Sequence, residues 1–203
     1  MARPREFDEA EALDAAIQCF WSRGYEATSV RDLAASMGIT GASLYNAFGD
    51  KRSLYERALA LYVDTSVADR ILRCEGQGPR QAIEGFFAEI LERSLGDPQR
   101  RGCMLVNAAL DVLPQDPRFQ GIVAGVLRQI ESFFLRAVEA GQIEGSITRS
   151  VPAADIAHHL LGVLMGVRVL ARVRPERALL EGIVRTAFAI FDRVEDGPGR
   201  VAS

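Results

Sequence analysis

The sequence predicts an all-α protein in which a small three-helix head joins a larger helical body. Three observations carry that prediction. No stretch of the 203 residues sustains the period-two alternation of a half-buried strand. Glycine and proline recur at helix-length intervals. Large apolar residues also return at three- and four-residue steps, as at Leu13, Ile17, Phe20 and Trp21.

Each element follows in turn. The first helix covers about 8–23 and stops at Gly24. A short second helix runs over about 30–37. Gly38 makes a turn, and the Thr40 hydroxyl is placed to cap a third helix reaching about 46. A long helix occupies about 51–73, with Leu54, Ala58, Leu61 and Tyr62 on one stripe. "EGQGP" at 75–79 is the clearest break. Helices then fall near 80–95, 102–113, 117–140, 153–172 and 175–194, joined by "GDPQRR", "PQDP", "GQIEGSITRSVP" and "RVRP". Pro117, Pro152 and Pro175 sit where a first-turn proline is tolerated. The expected domains are a head at 1–50 and a body at 51–195, with a disordered tail at 196–203.

Composition narrows the function. Hydrophobic residues at 48% and charged ones at 25% are a globular balance. Three cysteines, Cys19, Cys74 and Cys103, form no disulfide or zinc spacing, and no cofactor is expected. There is no Gly-rich phosphate loop and no HExxH, so no enzyme is expected. No basic-then-apolar leader opens the chain, and "LLGVLMGV" at 160–167 is shorter than the roughly 20 residues that span a bilayer. A cytoplasmic, reduced protein without a membrane partner is expected. The net charge is −3, and residues 1–52 hold six Arg or Lys against eight Asp or Glu. Any polyanion contact must therefore come from local placement of charge.

Two short helices around Gly38 suggest a helix-turn-helix, whose second helix lies in the major groove of DNA. At about 100° per residue, Leu44 and Phe48 share one face of the third helix and can pack on Val30, Leu33, Ile39, Ile17 and Phe20. The opposite face carries Ala42, Ser43 and Asn46, with Tyr45 on its flank. It is small and polar, which suits close approach to base edges. The only lysine of the chain, Lys51, follows shortly after.

The stretch "FWSRGYEATSVRDLAASMGITGASLYNAFGDKRSLY", residues 20 to 55, resembles the DNA-binding segment of the TetR family of bacterial transcriptional repressors. The matching positions include Gly24, Tyr25, Thr28, Leu33, Gly38, Leu44, Tyr45, Phe48 and Lys51. One departure is Ala47, where many members have histidine. The resemblance implies that Tyr45, Lys51 and Thr40, with the N–H groups Thr40 caps, hold phosphates. Gly41, Ala42 and Ser43 offer no bidentate reader. Asn46 can pair with adenine, Ala42 can touch a thymine methyl, and Arg31 can reach guanine or phosphate. Arg3 and Arg5 are either a minor-groove arm or a solvated tail.

By the same resemblance the last two helices form a homodimer seam. Their stripes are wider than one buried face requires. Leu160, Leu164 and Val167 on one helix, with Leu180, Val184, Phe188 and Phe191 on the other, are the candidates, the alternative being an ordinary core pair. Gly162 and Gly166 would let another helix come close. The resemblance also puts a small-molecule effector among the middle helices, with Phe87, Phe133 and Phe134 either lining its cavity or simply forming core. Cys103, Asn107 and Asp111 repeat every four residues as a polar stripe facing water or a cavity. Arg100, Arg101 and a helix N-terminus favour a Cys103 thiolate.

The resulting expectation is a ligand-responsive dimeric repressor on a pseudo-palindromic double-stranded operator. A thiol-based redox or electrophile sensor, a metal sensor and a helical protein-binding adaptor that binds no DNA are the alternatives. The adjacent His158 and His159 point about 100° apart on a helix and cannot easily share a metal.

Overall fold

The computed structural model describes residues 7–111 and 117–192. Arg3, Arg5, residues 114–116 of the "PQDP" connection and the tail at 196–203 lie outside the described residues. Among the described residues every regular element is helical. They are α1 (Glu9–Arg23), α2 (Val30–Ser36), α3 (Gly41–Phe48), α4 (Lys51–Val63), α5 (Asp69–Glu75), α6 (Pro79–Leu95), α7 (Met104–Asp111), α8 (Pro117–Glu144), α9 (Ala153–Val173) and α10 (Arg177–Phe188).

The described residues fall into two compact units. One runs to Arg70 and adds Asp97–Val126; the other comprises Ile71–Gly96 and the described residues from Leu127 onward. The three helices predicted for the head all belong to the first unit, which also holds α4 and α7.

Local chemistry explains the boundaries in the first unit. The Asp8 carboxylate accepts from the Ala10 and Glu11 N–H groups and starts α1. Ser29 and Asp32 form a reciprocal capping box at α2. Thr40 caps α3 by accepting from Ser43 N at 3.1 Å, and Asp50 caps α4 by accepting from Ser53 N at 2.7 Å. Gly38 takes φ +65 at the turn and Gly49 takes φ +82 after α3, conformations that a Cβ disfavours.

The helix expected over 51–73 is not uniform. A wider π-type turn, Asp64–Ala68, separates α4 from α5. Thr65 Oγ1 donates to Leu61 O at 2.8 Å within that stretch. Side-chain competition for a backbone carbonyl is one recognised way to loosen the regular ladder.

In the second unit, Phe86, Phe87, Phe133 and Phe134 pack ring against ring at centroid distances of 5.3–6.1 Å. Phe188 meets Phe87 at 5.6 Å in an edge contact. Such a cluster fixes how α6, α8 and α10 come together. The apolar run at 160–167 lies within the helix expected near 153–172, and α9 as a whole, at 21 residues, is apolar enough to cross a bilayer by length and composition. Its inner face is core of this unit and includes a buried arginine, Arg168, whose Nη1 donates to Ser94 Oγ at 3.0 Å.

Candidate nucleic-acid interface

On α3 the two faces separate as the spacing requires. Leu44 and Phe48 are 0% and 4% exposed and anchor the helix, whereas Tyr45 is 54% exposed. Ala42, Tyr45 and Asn46 stand together at the outer surface, at positions i, i+3 and i+4. A Cβ built at Gly41 would meet nothing within 4 Å, so the backbone at the start of the helix is open to close approach. Ser43 is partly committed: its hydroxyl shares a hydrogen bond with Thr40 Oγ1 at 2.9 Å. Arg31 is exposed on α2.

Lys51 is the first residue of α4, past the end of α3 at Phe48. Its Nζ lies 4.3 Å from the centroid of the Tyr25 ring, within an aromatic group that includes Phe20, Tyr55 and Phe119. That cation–π contact restrains an otherwise flexible ammonium. The site gains a placed charge.

The acidic balance of the head is explained by where its carboxylates go. Asp8, Asp32 and Asp50 each serve a helix N-terminus. The Ser29 hydroxyl and then its backbone N–H hold the Asp32 carboxyl below its ordinary value. The Ser53 backbone N–H and then its hydroxyl do the same for Asp50. Arg23 adds an ion pair to Asp32 at 2.9 Å, and Glu9 pairs with Arg57. These anions are occupied by their own chain, and the outer face of α3 carries none.

A second constellation in the first unit was not legible in the sequence. The Arg101 guanidinium sits 4.2 Å from the Trp21 ring centroid. Its Nη1 donates to Gln18 Oε1 at 2.6 Å, and its Nε donates to Asp97 Oδ2 at 3.3 Å. Trp21 Nε1 donates to Gly102 O at 3.2 Å. These bonds clasp α1 to the segment before α7. Trp21, alone of its kind in the chain, was the available hint.

The effector candidates are divided between the two units. Cys103 and Asn107 belong to the first unit, where both are 8% exposed. Asn107 Nδ2 donates to Arg101 O at 2.9 Å, and Tyr62 Oη donates to Cys103 Sγ at 3.6 Å. Two of the three residues of the expected polar stripe thus bond their own chain; the Asp111 side chain lies outside the described residues. Phe87, Phe133 and Phe134 belong to the second unit and are packed on one another at 0–1% exposure. Phe133 also borders an open cleft with Ala137 and Arg136.

The seam candidates are mostly enclosed within the single chain. Leu160, Leu164, Val167, Leu180, Val184 and Phe191 are 0–5% exposed within the single chain, and Phe188 is half-buried against Phe87 and Phe191. Of these, only Phe188 keeps surface that a partner could cover. The other side of these helices is open. Gly162 and Gly166 have nothing within 4 Å of a built Cβ, and Val169 and Val173 are 43% and 65% exposed. A groove of about 540 Å³ there is lined by His159, Val163, Leu179, Gly182 and Ile183 among others. Gly162 and Gly166, singled out in the sequence, lie on that side. His158 pairs with Glu131 Oε1 at 3.2 Å. Cys19 is core, and burial pushes its thiol up.

Two family models match the chain. One, described as bacterial regulatory proteins, tetR family, covers residues 12–58, and the other, a tetracyclin repressor-like C-terminal domain, covers residues 79–187. The chain is 31% identical over 198 residues to the HTH-type transcriptional regulator YezE of Bacillus subtilis, covering 95% of this chain and 100% of that one. It is 29% identical over 191 residues to the HTH-type transcriptional repressor ComR of Escherichia coli, covering 91% and 88%. Among solved structures, a cysteine mutant of the TetR family regulator CifR, complexed with 26 bp of double-strand operator DNA, matches with a TM-score of 0.84 at 30% identity, covering 94% of this chain and 100% of that one.

Proposed function

The chain belongs to the tetR family of bacterial regulatory proteins and is a DNA-binding transcriptional regulator, and on that footing we propose that it is a repressor that binds a pseudo-palindromic operator as a homodimer and is released by a small-molecule effector. Residues 1–50 serve as the head that meets DNA, and residues 51–195 as the body that pairs and takes the effector. The cytoplasm is the corresponding location.

The observation that carries this proposal is the outer face of α3: small, polar, free of carboxylates and held from behind by Leu44 and Phe48. Ala42 and Asn46 face base edges, and Tyr45, Thr40 and Lys51 hold phosphates, with Arg31 beside them. One short helix makes few contacts, so two heads are needed to read both halves of a palindrome about one DNA turn apart. The 26 bp duplex carried by CifR is long enough for such a pair. The name repressor printed for ComR favours repression over activation. Pairing through the open side of α9 and α10 would cover Val169, Val173 and the groove at Ile183. An effector weakens operator binding only by preferring the DNA-free state, and by the same factor that DNA weakens the effector.

The test is binding of the full chain to the DNA upstream of its own gene, by fluorescence anisotropy across salt concentrations. Affinity that falls steeply with salt and is lost with Tyr45→Ala plus Lys51→Ala is expected. Salt-insensitive or absent binding would favour a protein-binding adaptor.

A second route to release has one observation in its favour. Cys103 lies where α7 begins, against the Tyr62 hydroxyl, whose ring meets Trp21 edge-on at 5.3 Å. Alkylation there would disturb the clasp on α1. Operator release by an alkylating agent that persists in Cys103→Ser would exclude it.

A further inference from the structure

The second unit holds a half-open cleft of about 330 Å³ between the end of α5, the first turn of α6 and the C-terminal half of α8. Its floor includes Phe133, and its walls are the short side chains of Ala82, Ala137 and Ala140. Larger residues at those three positions would fill the space, so the depression is written into the choice of alanine. At the mouth, Arg136 Nη2 donates to Glu75 Oε1 at 2.5 Å. Phe133 and Ala140 stand three residues before and four after Arg136, so all three share one face of α8. The guanidinium rises from the edge of the apolar floor.

The volume lies at the low end for small-molecule pockets, and a mostly apolar lining with one charged pair is their usual chemistry. It suits a molecule with a short hydrocarbon body and one charged end. The sign of that end follows from the ion pair. Arg136 and Glu75 are 59% and 41% exposed, and a pair so open to water contributes little stability. Exchanging one member for a ligand charge therefore costs little. Arg136 sits within the 28-residue α8, and its planar fork matches the two oxygens of a carboxylate. Glu75 is the last residue of α5, where a carboxylate faces the negative end of the helix dipole. It is the less committed partner. An incoming carboxylate displaces Glu75 more easily than an incoming amine displaces Arg136.

We infer that this cleft seats the effector and that the effector is an amphipathic monocarboxylic acid, its chain over Phe133 and the alanines and its carboxylate on Arg136. The inference rests on the ligand-released repressor proposed above.

The test is calorimetry on the full chain with octanoate as probe and octanol and octylamine as controls, followed by operator release. Octanoate should bind, with both controls weaker by about twofold to fivefold, the size of an ion pair at an exposed guanidinium. Arg136→Ala should weaken octanoate by a similar factor. Glu75→Gln should strengthen it, a gain that a damaged fold would not produce. Ala140→Trp, at an exposed position on the lip, should block it. Absent octanoate binding, equal binding by Arg136→Ala, no gain in Glu75→Gln, or preference for octylamine overturns the inference. Binding without operator release overturns the effector role of the cleft, whereas the repressor reading itself fails only if the chain binds no operator. Release that persists in Arg136→Ala overturns the site alone.

Discussion

Two neighbours on α3 should fail in opposite ways. Leu44 has no exposed surface, so Leu44→Ala removes a fully buried side chain and leaves a cavity behind, costing about 2–5 kcal/mol of stability. Tyr45 is 54% exposed, so about half of its surface is covered and Tyr45→Ala should cost roughly 1 kcal/mol at most. For DNA the order reverses. A phenol hydroxyl on a phosphate is worth about 1.5 kcal/mol per head. Two heads on one operator double that to about 3 kcal/mol, or roughly a hundredfold in affinity. Lys51→Ala supplies the control, because it removes a charge from each head and should flatten the plot of log affinity against log salt by about 2. Tyr45→Ala, which removes no charge, should lower affinity and leave that slope alone. Urea denaturation gives the stabilities, and anisotropy at four or five salt concentrations gives the affinities. A folded Tyr45→Ala dimer with unchanged affinity, or a Leu44→Ala protein as stable as the parent, would refute the assignment of faces.

Other outcomes follow from the same geometry. Gly166→Leu should turn the proposed dimer into a monomer by sedimentation, since it blocks close helix approach, yet leave the monomer at least as stable because glycine costs a helix about 1 kcal/mol relative to alanine; Leu164→Ala should instead destabilise each chain. A double-mutant cycle with Arg101→Met and Trp21→Leu should give a coupling of about 1 kcal/mol in thermal or urea unfolding, and additivity would mean that the stacking contributes nothing. Asp32 and Asp50 are held below their ordinary values, so the stability they contribute is complete above about pH 4 and drains as pH falls through their lowered folded values. Asp50→Asn should make the unfolding midpoint less sensitive to acid in that range.

What the chain alone disclosed is local. Ser29, Thr40 and Asp50 cap helices by reaching their own third neighbour, and Gly38 turns the chain at its own φ. Interactions of that reach are written in adjacent letters, so the head could be drawn from spacing, down to the buried Leu44 and the exposed Tyr45. The body shows the limit. On α9, Leu160 and Val163 are equally apolar as letters, but one is enclosed and the other lines an open groove. Periodicity gives the angle between two stripes and not which of them the rest of the chain will cover.

Sequence by itself determined the all-helical class, the first three helices and the outward face of the third, because short-range hydrogen bonds and helical period act within a few residues. Only the tertiary structure decided that Arg101 lies over Trp21, that Asn107 bonds back to Arg101, and that three alanines from two helices surround a cleft beside Arg136. Most of these arise between segments far apart in the chain, and the same Arg101 also donates to Gln18, 83 positions away. They arise from packing many helices at once, a problem whose solution no single stretch of the chain contains.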